Sequence, residues 1–150
     1  MTYDFRLSCV LPASPEAVYD AWLDGAKHSA MTGAEAKIVK RVGGAHSAWD
    51  GYITGKTVEL VPGKRIVQSW RTTEFADNDP DSTITVELAP TKAGARLTLT
   101  HSGVPDGQTS YERGGWQDNY FVPMKAYFAA RRREGRPPGK RTGRFDDITP

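Results

Sequence analysis

Acid–base, metal or nucleophilic chemistry would have to come from very few side chains in this sequence. His28, His46 and His101 are the only imidazoles. No two are four residues apart and none sits in a His-Glu-x-x-His context, so the zinc-hydrolase arrangement is absent and no metal site is expected. Cys9 is the sole cysteine, which excludes an internal disulfide and leaves a thiolate zinc site without a second ligand. Ser69 and Ser102 lie outside any Gly-x-Ser-x-Gly context, with no His–Asp pair evident to activate them. The stretch from Gly135 to Thr142 looks superficially like a phosphate loop. Its spacing is one residue short, Arg141 stands where a hydroxyl residue should follow the lysine, and no strand precedes it. Gly43-Gly44 is a turn without a Gly-x-Gly-x-x-Gly continuation. No cofactor is expected.

His101 is the one candidate for proton transfer, because strand alternation turns it inward with Leu97 and Leu99 and a partly buried imidazole titrates near neutrality. The competing reading is a hydrogen-bonded histidine at a strand end. Asp50 and Glu59 become its partners only if a β-bulge brings them there. A second inventory is aromatic: Trp22, Trp49, Trp70, Trp116, Tyr120, Phe121 and Phe128, with Met124 and Leu99, are more apolar mass than a small core requires. Together with Gln68 and His101 as polar anchors, they make a candidate ligand-binding set for an apolar molecule held between a sheet and a helix. Ordinary core packing is the alternative for each of them.

These side chains need a fold large enough to hold them. A chain of 150 residues suits one domain, and 38% hydrophobic, 10% aromatic and 25% charged residues are a globular composition. No apolar run approaches the roughly 20 residues needed to cross a bilayer, and the N-terminal stretch lacks the pattern of an export signal. A cytoplasmic protein is expected. The net charge of +2 is unevenly placed. From Arg131 to Pro150 seven basic residues face three acidic ones, so this end carries +4 and the first 130 residues carry −2. Glycine and proline crowd the same end with little apolar content, so the reading is a folded domain at 1–132 followed by a flexible basic tail at 133–150. With Phe145 as its only aromatic, the tail is not expected to bind nucleic acid.

Periodicity supplies the elements. Tyr3 to Leu11 alternates as a half-buried strand. Ser14-Pro15-Glu16 offers an N-cap oxygen, a proline at the first helical position and an acid at the positive helix end, so a helix starts there with Val18, Ala21 and Trp22 on one face. A short second helix over Lys27 to Met31 ends at Gly33. Six strands follow as a meander: Glu35–Arg41, Ala45–Trp49, Tyr52–Val61, Arg65–Phe75, Ser82–Ala89 and Arg96–Ser102. Within Tyr52–Val61, Ile53 and Val58 cannot both point inward without a bulge, and Gly55 lies between them. Tyr111 to Arg133 reads as one amphipathic helix whose turn at Pro123 is kinked or loosened. A curved antiparallel sheet wrapped around this long C-terminal helix satisfies every apolar face at once, giving an α+β helix-grip fold.

Three blocks carry a resemblance. Ser14-Pro15-Glu16-Ala17-Val18-Tyr19-Asp20-Ala21-Trp22 is the first. The second is Trp49-Asp50-Gly51-Tyr52-Ile53-Thr54-Gly55 running into Glu59 through Arg71, and the third is Gly103-Val104-Pro105 with Gly115-Trp116 and Tyr120 to Lys125. Over roughly Ala13 to Ala130 the chain resembles the C-terminal domain of activators of the heat shock protein 90 ATPase, in the START-like (SRPBCC) superfamily. The resemblance implies a START-like helix-grip fold and a non-catalytic binding module with a co-chaperone-like role toward heat shock protein 90. The 150 residues hold no counterpart of the activators' separate N-terminal domain, so a weak chaperone interaction is the expectation. Binding of a hydrophobic lipid, aromatic or polyketide-like molecule in the helix-grip cavity is the alternative. An enzyme acting on such a ligand through His101 is a third.

Overall fold

The computed structural model describes residues 1–134. The phosphate-loop-like stretch and most of the expected basic tail, from residue 135 onward, lie outside the described residues. The element order is β1 (Thr2–Leu11), α1 (Pro15–Leu23), α2 (Gly25–Thr32), β2 (Lys37–Ile38), β3 (Ala45–Ala48), β4 (Ile53–Val61), β5 (Arg65–Thr72), β6 (Ser82–Thr91) and β7 (Gly94–Pro105). Two single-turn π-helical segments, Tyr111–Gly115 and Gln117–Phe121, then lead into α3 (Val122–Glu134). The seven strands form one antiparallel sheet in the order β1-β7-β6-β5-β4-β3-β2. Since β1 and β2 are its two edges, α1 and α2 must carry the chain from one edge to the other.

Local chemistry sets each of these boundaries. Ser14 Oγ accepts from the Ala17 amide at 3.1 Å, with Pro15 as the first helical residue. Asp24 both ends α1 and caps α2 by accepting from the Lys27 amide at 2.9 Å, so α2 begins two residues earlier than the spacing suggested. Gly33 closes it in the left-handed conformation. The strand expected over Glu35–Arg41 shrinks to Lys37–Ile38, because a backbone turn from Val39 to Gly44 takes over the remaining hydrogen bonds. In β4 the register shifts between Thr57 and Glu59. Ile53 and Thr57 share one parity and point inside, and Val58 is the extra residue, turned out into solvent, so the bulge lies at Val58 rather than at Gly55.

The core is the concave face of this sheet against the helices. Ile66, Ile84, Val86, Leu97 and Leu99 point inward from β5, β6 and β7, and Trp116, Phe121, Met124 and Phe128 meet them from the C-terminal segment. That segment is not one uniform helix. Gly114 at φ 148° breaks it, and the wide turns on either side of Trp116 precede Pro123, whose missing N–H cannot continue an α-helical ladder. No helix among the described residues is long and apolar enough to cross a membrane.

Candidate aromatic cleft

The loosened turns leave a cleft of about 660 Å³ between the Tyr111–Tyr120 stretch and the β3–β5 side of the sheet. Its walls are aromatic. Trp49 and Tyr52 come from the β3–β4 turn, Trp70 from β5, and Tyr111, Trp116 and Tyr120 from the π-helical turns. Ser110, Arg113, Asp118 and Asn119 supply a polar edge.

Each wall is fixed by a local cause. Trp49 and Asp50 hold φ of 54° and 58°, a left-handed conformation that non-glycine residues rarely adopt, followed by Gly51 at 90°. Asp50 holds this turn down by accepting from the Glu35 amide at 2.8 Å through its carboxylate, while its own amide donates to the Glu35 carbonyl at 3.0 Å. The Trp49 Nε1–H is buried without a hydrogen-bond partner. Trp70 packs edge-on against His101 at 4.6 Å and against Tyr111 at 5.2 Å. Tyr111 donates from its hydroxyl to Gln108 Oε1 at 2.6 Å and lies 3.1 Å from Thr72 Oγ1; burial pushes its ionisation well above the ordinary tyrosine range.

Behind the cleft lies a closed polar chain. The Trp22 indole donates to Gln68 Oε1 at 3.1 Å, and Gln68 Nε2 donates to Thr57 Oγ1 at 3.3 Å. His28 Nδ1 lies 2.8 Å from the Trp22 carbonyl and so must carry the proton, which leaves Nε2 to accept from the Tyr120 hydroxyl at 2.8 Å. Burial lowers the His28 pKa and raises that of Tyr120.

His101 is placed elsewhere. It has no solvent exposure and does not line the cleft. Ser82 Oγ donates to the Trp70 carbonyl at 2.8 Å and must therefore accept from His101 Nε2, also at 2.8 Å. Nδ1 accepts from the Trp116 indole at 3.2 Å. Both nitrogens are occupied, and burial drives the pKa down to about 3, so the ring is neutral near neutral pH and has no proton to exchange with a ligand. The two carboxylates considered as partners are engaged elsewhere, Asp50 with Glu35 and Glu59 with Arg65 at 3.4 Å.

Of the candidate binding set, the structure brings Trp49, Trp70, Trp116 and Tyr120 together on the cleft. Trp22 and Gln68 stand in the polar chain behind it, and Leu99, Phe121 and Met124 are fully buried core. Phe128 lies at a different concavity near the start of α1. Tyr52, Tyr111 and Arg113 were missed. Tyr111 alone carried a signal, as the first residue of the C-terminal aromatic run. Among the described residues no group of three or more His, Cys, Asp or Glu side chains is arranged to hold a metal ion.

Comparison with known proteins agrees with this frame. The family described as "Activator of Hsp90 ATPase homolog 1-like protein" matches residues 12–129. The human activator of 90 kDa heat shock protein ATPase homolog 1 is 30% identical over 115 residues, which is 77% of this chain and 34% of the human one. An uncharacterised Schizosaccharomyces pombe protein is 30% identical over 128 residues, 85% of this chain and 38% of its own length. This chain thus spans about a third of the length of these curated relatives. Among solved structures, an HSP90 activator from Plasmodium falciparum superposes with a TM-score of 0.77 at 24% identity, covering 85% of this chain and 96% of that one. A Chromobacterium violaceum protein gives 0.68 at 32% identity, covering 84% and 96%. With the helix-grip architecture, the family match across most of the chain and the 30% identity to the human protein all in agreement, this chain belongs to the activator of Hsp90 ATPase homolog 1-like family of START-like proteins.

Proposed function

We propose that this domain is a binding module whose site is the aromatic cleft, and that it takes an apolar, ring-bearing small molecule there. The observation that carries the proposal is the cleft itself. About 660 Å³ is within the range of small-molecule sites, and its aromatic walls with a few polar groups at the edge fit the composition of such sites. No reaction is assigned, because the one proton-transfer candidate, His101, has both nitrogens engaged in the core. The test is a titration with N-phenyl-1-naphthylamine, a neutral apolar fluorophore. Saturable binding in the micromolar range is expected, about −8 kcal/mol. Ser110→Trp, an exposed position at the mouth, should weaken it by filling the cleft. A titration that never saturates would remove this reading.

A second reading rests on the similarity to the human activator: a co-chaperone-like contact with heat shock protein 90. The aligned segment covers only 34% of that protein, and these 150 residues assayed by themselves do not gain the effective concentration that tethering to a second domain supplies. Weak binding and modest stimulation of ATP hydrolysis are therefore expected. No complex at tens of micromolar in low salt, with heat shock protein 90 from the same cell, would eliminate it.

A further inference from the structure

A second concavity of about 750 Å³ shares no lining residue with the aromatic cleft. Four parts of the fold converge on it: the β1–α1 connection with the first turns of α1, the start of α2 at Lys27, the β6–β7 hairpin tip, and the last turns of α3. Its shape is set at the backbone. A Cβ on Gly94 would lie 2.1 Å from the Leu11 carbonyl oxygen and 2.8 Å from the Ala13 nitrogen, and Gly94 has φ of +142°. Only glycine lets the hairpin close this tightly on the β1–α1 connection, so the groove is preformed and a partner need not order it on binding.

The charge in this groove is concentrated. Lys27, Lys92, Arg131 and Arg132 line it, and none of the ion pairs among the described residues includes any of them. Asp20 is the one carboxylate in the lining, and it is already held at 3.5 Å by Lys40. Lys27 and Lys92 come from the first 130 residues, which carry −2, while Arg131 and Arg132 open the C-terminal stretch that carries +4; the fold brings all four to one concavity. Between the cations the surface is aliphatic, from Pro12, Ala13, Ala17 and Pro90. One face of the half-buried Tyr127 ring is covered by the Arg131 guanidinium at 5.1 Å and Phe128 is buried, which makes the groove a poor platform for stacking a base.

We propose that this groove docks an acidic segment of a partner protein, anchored by one or two aliphatic side chains and flanked by Asp or Glu. Paired cations around an aliphatic floor select that chemistry over a polar anion alone, which would leave the floor uncovered. A preformed groove of this kind gives modest affinity and strong salt dependence.

The probe is a fluorescein-labelled peptide, Glu-Glu-Leu-Asp-Glu-Leu-Glu-Glu, read by anisotropy against the full chain at low and high salt. A second peptide has serine in place of each leucine. Binding at tens of micromolar in low salt is expected, about tenfold weaker for the serine peptide and about tenfold weaker again in Lys92→Glu and in the double variant Arg131→Glu/Arg132→Glu. All three positions are exposed, so these variants should fold, which a thermal melt checks. Lys64→Glu, on an exposed turn outside the groove, should leave binding unchanged. The proposal is overturned if the leucine peptide does not bind, if both peptides bind equally, or if Lys64→Glu costs as much as the groove variants. Recruitment to phosphatidylcholine–phosphatidylserine vesicles that depends on Lys92, Arg131 and Arg132, without peptide binding, would replace it with a membrane contact. Because the naphthylamine titration reads the other cavity, either result stands without the other.

Discussion

Three imidazoles are buried in their neutral form, and their burial makes the fold sensitive to acid. His28, His46 and His101 all have pKa values lowered from 6.5, chiefly because burial penalises the charged ring. A histidine whose folded pKa lies below its unfolded value takes up its proton more readily after unfolding. Its contribution is complete above about pH 6.5 and is lost as the pH falls toward the folded value. For His101, at about 3 in the folded state, the loss between pH 7 and pH 5 comes to about 2 kcal/mol. His101→Gln retains a donor for Ser82 and an acceptor for Trp116 but cannot titrate. Urea unfolding at the two pH values should therefore show wild type losing about 2 kcal/mol more than the variant. Equal losses in both would place the sensitivity in other groups. The sequence showed His101 facing inward; it could not show that Ser82 and Trp116 would occupy both ring nitrogens, because those contacts span 19 and 15 residues.

At the scale of elements, the β3–β5 region depends on one missing side chain. His46 in β3 lies opposite Gly55 in β4 and reaches over it to the Ser69 carbonyl of β5 at 2.9 Å. A Cβ on Gly55 would stand 1.9 Å from that carbonyl oxygen and 2.5 Å from His46 Nε2. Gly55→Ala must displace the imidazole and separate the strands, at a cost of about 2–4 kcal/mol from overpacking and an orphaned acceptor. Thr54→Ala, exposed on the neighbouring position, should cost under about 0.5 kcal/mol. Chemical denaturation of the two variants checks this, and a mild Gly55→Ala would mean that the imidazole bridge is dispensable. The element pattern also shows how far periodicity reaches. Alternation located β4 and required a bulge in it, but a glycine serving close backbone approach looks the same in sequence as one serving a bulge. The extra residue in fact falls at Val58, where solvent accepts it.

For the whole molecule, the C-terminal segment closes the concave face of the sheet. Cutting the chain after Gly103 removes Tyr111, Trp116, Tyr120, Phe121, Met124 and Phe128, all buried. At about 1.5–3 kcal/mol for each large apolar side chain, their loss is as large as the total stability of a typical domain, about 5–15 kcal/mol. The shortened chain should show no cooperative urea transition by far-UV circular dichroism and tryptophan emission. A sharp transition in that chain would count against a core that is closed by the helix.

The order of the seven strands and of α1 and α2, the antiparallel meander and the inward faces of β6 and β7 were determined by the sequence alone, because hydrophobic period, capping residues and turn residues act within a few positions of one another. The family followed for the same reason, since its blocks are local strings such as Ser14 to Trp22. Which aromatic side chains become cleft wall and which become core was decided only in three dimensions. Trp116 and Phe121 belong to the same apolar run, yet one lines the cleft and the other is sealed beneath it. The π-helical turns around Gly114 rotate the segment by an amount that a 3.6-residue period does not encode. The basic groove is tertiary in the same sense: Lys27, Lys92 and Arg131 lie far apart in sequence, and the close contact of Gly94 with the Leu11–Ala13 backbone helps to bring them around one concavity.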